Sequence, residues 1–495
     1  MSRPASSNSS PIVSSDTGSD ARTLQNESQP APAITVHTRS TEKEKEKEKE
    51  KERQAPNYAH VENALPSPAN PPFSKWFFER GDPEVAKARM IYVKSYVSGL
   101  VLVILTIFGV FSIYWGSLWK VPAHSMRGWI VDFDGGDIGQ TVTVELFSRG
   151  RQFIRWEVVP PGRFTSADGV IEAVKLDQTW IAVVINVGAT TNLQDAIDAP
   201  NASYNGSAAI TAYGAEARNE NAYATQVQTS LDIVKFTYAT QLATQLSQSI
   251  PAENIVSLLS ISPQTIVNPI SYTIVNLLPF DQPVASAVVF VGLIYLLILS
   301  FFIVMIAYSA REASGIDGML KLRSLIILRL VSSFFGYFFL SFFYSLLNLA
   351  FKLNLTRRYG YWGFIIFWML NWAGMLSVGL ALESLITILT PKFIPFFMIL
   401  WIIVNVSVCV FPIDILPRIY HYGYGAPFYN ISNSIRSIAF ETRNTIGLNF
   451  GVLFAWILIS CMTLPLLQWH VRRKVQCDIL RQSSANADAL GTARP

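Results

Sequence analysis

The sequence predicts a membrane α-helical protein: six transmembrane helices, a large α+β extracytoplasmic domain inserted between the first and second, and a disordered N-terminal tail. Three observations carry this. Of 495 residues, 50% are hydrophobic and only 15% are charged, where a soluble chain carries about a quarter charged. Six apolar runs approach the roughly 20 residues needed to cross a bilayer core. A long stretch of mixed polarity, Leu118 to Pro283, separates the first run from the other five. The net charge of +4 is small, so no nucleic-acid partner is expected.

Residues 1–72 are rich in Ser, Pro and Asn and include the run "EKEKEKEKEKER" from Glu42 to Arg53. Such a segment buries too little apolar surface to offset its ordering entropy and reads as a disordered cytoplasmic tail. Residues 73–117 form a lead-in and the first span, Tyr96 to Trp115, with aromatic residues at both edges. Lys75, Arg80, Lys87, Arg89 and Lys94 precede it, which places the N-terminus in the cytoplasm by the positive-inside rule.

Residues 118–283 form the inserted domain, strand-like from Gly128 to about Asn192. Within it, "GWIVDFDGGDIGQTVTVEL" gathers Asp132, Asp134 and Asp137 around two glycines. An EF-hand calcium loop needs its ligands at fixed positions and a Glu at the twelfth. Counted from Asp132, the fifth, sixth and twelfth positions are Gly136, Asp137 and Thr143, so the pattern fails. Alternating β-branched residues on both sides predict instead a hairpin turning at Asp-Gly-Gly-Asp. Farther on, Val227, Leu231, Val234, Tyr238, Leu242, Leu246 and Ile250 recur at helical spacing, and Pro251 ends the run. Asn201 and Asn205 open two N-glycosylation sequons, consistent with a lumenal or external face.

Residues 284–470 supply five more spans: Val284 to Tyr308, Leu330 to Phe351, Tyr361 to Leu389, Phe393 to Ile413 with a broken outer end, and Leu448 to Leu467. Residues 471–495 form a second cytoplasmic tail opening on Arg472, Arg473 and Lys474. Lys352, Arg357 and Arg358 fall outside and run against the charge rule, which weighs later helices less. Cys409, Cys461 and Cys477 suit neither a disulfide framework nor a zinc site.

No Walker loop, His-Glu-x-x-His or Gly-x-Ser-x-Gly occurs. No catalytic, cofactor or metal site is expected, and the chain cannot itself be an ATPase. The transport or gating candidates are Glu383, Asn371, Pro412, Asp414 and Pro417. Glu383 is a carboxylate inside an apolar span, where a charge costs on the order of 2.5–3.5 kcal/mol on insertion scales. It reads as a proton-coupling site or as a polar contact to another span. Asn371, with Asn348 and Asn405, reads as interhelical hydrogen bonding. Pro412, Asp414 and Pro417 predict an unwound segment, followed by a short amphipathic helix at Ile431, Ile435 and Ile438 that re-enters or lies on the outer surface. Phe334, Phe338 and Phe342 form one helical column and Phe335, Phe339 and Phe343 the next; such ridges pack on helices or lipid more often than they line a path.

The stretches "FPIDILP" and "YGYGAPFYNIS", with "WIVDFDGGDIG" and the arrangement of one span, an outer domain and five spans, resemble the fungal nitrosoguanidine-resistance membrane proteins. That group is similar to ABC-2 type permeases and to phage-infection-protein-like membrane proteins. The resemblance runs from about Phe77 to Lys474. It implies a multi-pass plasma-membrane protein that confers resistance to a small toxic solute, by export, in contact with membrane lipids. For a permease of this class it implies a homodimer, and either a separate ATPase partner, docked on the loop from Arg311 to Arg323, or an ion gradient. The alternative is a non-transporting scaffold that organises lipids.

Overall fold

In a computed structural model the described residues are 75–149, 153–232 and 251–491, with Thr244 and Gln248. The tail reading over 1–72 and the stripe positions Val234, Tyr238, Leu242, Leu246 and Ile250 lie outside them. Val227 and Leu231, which begin that stripe, are buried. The chain divides into two units after Met90. In the first, Lys75 pairs with Asp82 at 2.7 Å and with Glu84 at 3.0 Å.

After α1 (Pro83–Leu118), the inserted domain alternates strand and helix: β1 (Met126–Asp132), α2 (Asp137–Arg149), β2 (Ile154–Val158), α3 (Ala167–Lys175), β3 (Ile181–Ile185), α4 (Ala189–Asp198), β4 (Ile210–Gly214), α5 (Ala252–Ile261) and β5 (Tyr272–Asn276). The strands form one sheet in the order β2-β1-β3-β4-β5. β1 is parallel to β2 and β3, β3 is antiparallel to β4, and β4 is parallel to β5. Central β3, IAVVI, is buried at every residue, as expected where helices cover both faces of a sheet. Strands and helices therefore interleave in α/β fashion, which corrects the expectation of a strand half followed by a helical half.

The predicted hairpin is also corrected. "TVTVEL" lies in α2, whose Ile138, Val142 and Leu146 form the buried face while Val144 is 64% exposed. Spacing by four was present beneath the alternation, and packing against the sheet selected it. The partner of β1 is β2, in parallel register from Met126 opposite Ile154, which requires a crossover helix between them. Asp-Gly-Gly-Asp is the strand-to-helix loop. Asp132 Oδ1 accepts the N–H groups of Asp134 and Gly135, both at 2.9 Å, and Gly135 takes φ +67°, a conformation glycine adopts without a Cβ penalty.

Among the described residues five helices are long and apolar enough to cross a membrane: α1 (Pro83–Leu118), α6 (Pro283–Ser314), α7 (Leu322–Ala350), α8 (Trp362–Val406) and α10 (Ile446–Ser483). The predicted fourth and fifth spans thus run together as α8. At about 1.5 Å per residue, its 45 residues exceed by far a bilayer core of roughly 30 Å. The run is interrupted at Thr390 (φ 60°, ψ 163°), just before Pro391 and Pro395.

The contacts of the helix ends define two ends of the bundle. At the sheet-domain end, Arg357 pairs with Asp281 at 2.5 Å and Arg358 donates to the Glu441 carbonyl at 2.9 Å. These two cations, which ran against the charge rule, thus have structural partners. At that same end Asn405, near the close of α8, accepts the N–H of Phe428 at 3.2 Å. Between them lies α9 (Pro427–Phe440), buried over almost its whole length, including Asn430, Ser434 and Arg436. It is an internal helix, so of the two expected placements, re-entering or lying on the outer surface, an exposed surface position is the one its burial corrects. Pro412, Asp414 and Pro417 fall beyond the end of α8, in the short 3-10 turns Ile413–Ile415 and Arg418–Gly425 and their flanks. The Tyr420 hydroxyl donates to the Ile113 carbonyl in α1 at 2.7 Å, in space that a side chain on Gly116 would fill.

Candidate functional site

The opposite end of the bundle holds a cluster of charges. Glu383 of α8 is 1% exposed, and its Oε1 lies 2.7 Å from Arg329 Nε of α7 and 3.1 Å from an Arg311 guanidinium nitrogen of α6. Arg329 also donates to the Thr387 hydroxyl at 2.9 Å, to Gln468 of α10 at 2.5 Å and to the Glu383 carbonyl at 2.5 Å. One carboxylate therefore joins three helices directly and a fourth through Arg329. Its other oxygen, Oε2, is buried and has no hydrogen-bond partner among the described residues. Nearby, Arg472 of α10 donates to the Leu320 carbonyl at 2.5 Å. Breaking such a pair strands the remaining charge, whereas apolar residues of the same volume would pack at lower cost.

Sequence reasoning singled out Glu383 but missed its partners. Arg329 stood one residue before the predicted start of the third span, and the only signal was an arginine inside "LIILRLV". Arg311 opens the loop expected to dock a partner, yet it is 7% exposed and turned inward. The other polar candidates serve separate positions. Asn371 donates to Ser345 on α7 at 2.9 Å, Asn348 to its own helix at Tyr344, and Asn405 caps α9. Phe338 packs on Trp368 and Trp372, while Phe335, Phe339 and Phe343 face outward. Close packing brings Tyr337 against Gly379, where a Cβ would overlap the ring, and the Tyr337 hydroxyl donates to Ser300 of α6 at 3.2 Å.

At the sheet-domain end a cavity of about 320 Å³ lies between the domain and α9, and Pro412 and Asp414 line it. Arg218 crosses this junction, 3.4 Å from Asp177 and 3.8 Å from Asp414, with its guanidinium 3.5 Å from the Trp180 ring centroid. The Tyr424 hydroxyl donates to Asp414 at 2.9 Å. Arg436, 4% exposed, pairs with Glu220 at 2.5 Å and donates to the Ala217 carbonyl at 3.0 Å. Asn219 and Asn221 both donate to the Val410 carbonyl, at 3.2 and 3.3 Å. Burial pushes the Asp177 carboxyl above the ordinary carboxylate range, and the charges of Arg218 and Arg443 offset only part of that.

Among the described residues no group of three His, Cys, Asp or Glu side chains is arranged to hold a metal. The Asp134 carboxylate accepts instead from the backbone and hydroxyl of Thr190, and so caps the first turn of α4. Asn201 and Asn205 are both exposed, their side-chain oxygens accepting from Ser203 and Ser207 two residues on.

Long apolar helices, buried polar contacts between them and a folded domain at one end define a multi-pass membrane protein. The chain belongs to the family described as "Protein of unknown function (DUF3533)", which it matches over residues 99–462. It is 30% identical over 210 residues to the "Uncharacterized endoplasmic reticulum membrane protein YJR015W" of Saccharomyces cerevisiae, an alignment that spans 40% of this chain and 39% of that protein. No solved structure matches.

Proposed function

We propose that the chain is a polytopic permease that moves a small or lipid-like solute across its membrane and confers resistance to toxic compounds by export. The observation that carries this reading is the Glu383 cluster. A single buried carboxylate, paired to arginines on two other helices, is a costly way to hold a static bundle. It suits a bundle whose end opens and closes as the ion pairs exchange. Energy comes from a separate ATPase partner or from an ion gradient, and the compartment is the plasma membrane or the endoplasmic reticulum membrane.

In this reading the chain crosses six times, with both termini cytoplasmic. Support comes from the two ends of α8: Trp362 follows the Arg357–Asp281 contact, and Asn405 caps α9. Both flank the sheet-domain end, so the break at Thr390 acts as a hairpin at the other end. Cations around the start of α1 (Lys75, Arg80, Lys87, Arg89, Lys94) and late in α10 (Arg472, Arg473, Lys474) favour the cytoplasm for both termini. A glycosidase shift that is lost in an Asn201→Gln, Asn205→Gln double variant would support the external assignment of the domain. Labelling of a tag at those positions only after permeabilisation would reverse it.

The test of transport is accumulation of a labelled nitrosoguanidine in intact cells producing the chain or its Glu383→Gln variant at equal membrane abundance. Lower accumulation with the unaltered chain, lost in the variant, is expected. Equal accumulation in both and in cells lacking the chain overturns export of that solute. A scaffold that organises lipids is the second reading. It is favoured by the most apolar window of α1, none of which is buried within one copy.

A further inference from the structure

We propose that the junction between the sheet domain and α9 is a binding site for the phosphate headgroup of an amphiphile. The cavity of about 320 Å³ adjoins a second of about 310 Å³, and Asp177, Trp180, Arg218 and Asp414 line both. Each has the size of a small-ligand site, for which roughly 300–1,000 Å³ is typical. The wall between them is therefore the Arg218 side chain and the acids it meets.

The charges are unequal in number and in commitment. Three arginines, Arg218, Arg436 and Arg443, face the first cavity against two aspartates. Arg436 is engaged by Glu220 and by the Ala217 carbonyl. Arg443 is exposed, and its guanidinium makes no hydrogen bond or ion pair among the described residues. Its backbone is held all the same, because its carbonyl accepts the buried Ser437 hydroxyl at 2.7 Å. A guanidinium on a fixed backbone at the mouth of a polar cavity matches the two-pronged geometry of a phosphate.

Arg218 supplies the second cation. Its contact with Asp414, at 3.8 Å, is looser than that with Asp177, at 3.4 Å. Asp414 also has the Tyr424 hydroxyl as a partner. A phosphate that takes the place of Asp414 on Arg218 leaves the Asp177 pair and the Trp180 stack intact, and joins the two cavities. The apolar part of the ligand is placed by Val408, Phe411 and Ile413, which line the same cavity just beyond the end of α8. A phosphate beside an apolar wall just past the end of a membrane helix fits the headgroup of an amphiphile.

Binding is measured on purified protein, so the proposal stands or falls separately from the permease reading. The full chain in a phosphate-free maltoside detergent is titrated with dioleoyl phosphatidic acid and with dioleoylglycerol, and bound ligand is counted by native mass spectrometry. Phosphatidic acid should bind and dioleoylglycerol should not. Arg443→Gln should weaken binding at least fivefold and Asp414→Asn should strengthen it, while Arg473→Gln, an equal charge change elsewhere, leaves it unaltered. Equal binding of both lipids, or the same affinity in the Arg443 and Arg473 variants, overturns the site. Competition by inorganic phosphate assigns a water-soluble phosphate compound as the natural ligand; its failure to compete with bound phosphatidic acid assigns a lipid.

Discussion

Glu383 Oε1 and Arg329 Nε meet at 2.7 Å inside the helix bundle, with 1% and 3% of the two side chains exposed. Removing Glu383 leaves Arg329 and Arg311 without their shared counter-ion, and removing Arg329 leaves Glu383 with Arg311 alone at 3.1 Å; breaking a buried pair of this kind costs about 3–5 kcal/mol. Arg329→Leu and Glu383→Gln should each lower the thermal midpoint of the detergent-solubilised protein markedly. The double variant should lose less than the sum of the two, because it strands no charge between that pair. Additive losses would mean that the two residues act independently.

Thr390 occupies φ 60°, ψ 163°, a region open to glycine and strained by about 1–3 kcal/mol for other residues. Thr390→Gly should therefore raise the thermal midpoint. A lower midpoint would show that the threonine side chain has a role that outweighs the strain. Under the permease reading, the same change tests whether the break has to be stiff, through the accumulation assay.

Asp134 caps α4 from another loop by accepting from Thr190. Asp134→Ala should cost about 1 kcal/mol, as for loss of a helix cap. Faster hydrogen exchange should be confined to the first turn of α4 and the loop after β1. Unchanged exchange there would remove the structural role assigned to the acidic loop.

Asp177 has a raised pKa because burial disfavours its charged form. The folded state then binds its proton more tightly than the unfolded state does. The resulting stabilisation is fully present below the ordinary carboxylate value of 3.8 and is lost as pH rises through the higher folded value. Above that window the ionised group carries a constant penalty. Asp177→Asn should flatten this fall as pH rises above the ordinary carboxylate value. Thermal midpoints of both proteins across that range test it, and parallel curves would show that Asp177 does not titrate there.

The membrane class and the apolar helices were legible in the sequence, because apolar length is a local property that bilayer thickness reads directly. Even the break before Pro391 marked the boundary between the predicted fourth and fifth spans, since proline acts within a turn of its own position. Other features depended on which surface each segment meets. "TVTVEL" carries both a two-residue and a four-residue pattern, and only the sheet beneath α2 selects the helix. Ile431, Ile435 and Ile438 define an amphipathic face, yet Asn430, Ser434 and Arg436 on its polar side are buried too, because neighbouring elements cover α9 all round. Glu383 was visible alone as a charge in an apolar run. Its meaning came from Arg311 and Arg329, 72 and 54 positions away in sequence and within 3.1 Å in space. Local pattern determines which segments are long and apolar enough to cross a membrane, whereas pairing between distant charges exists only after the helices have packed.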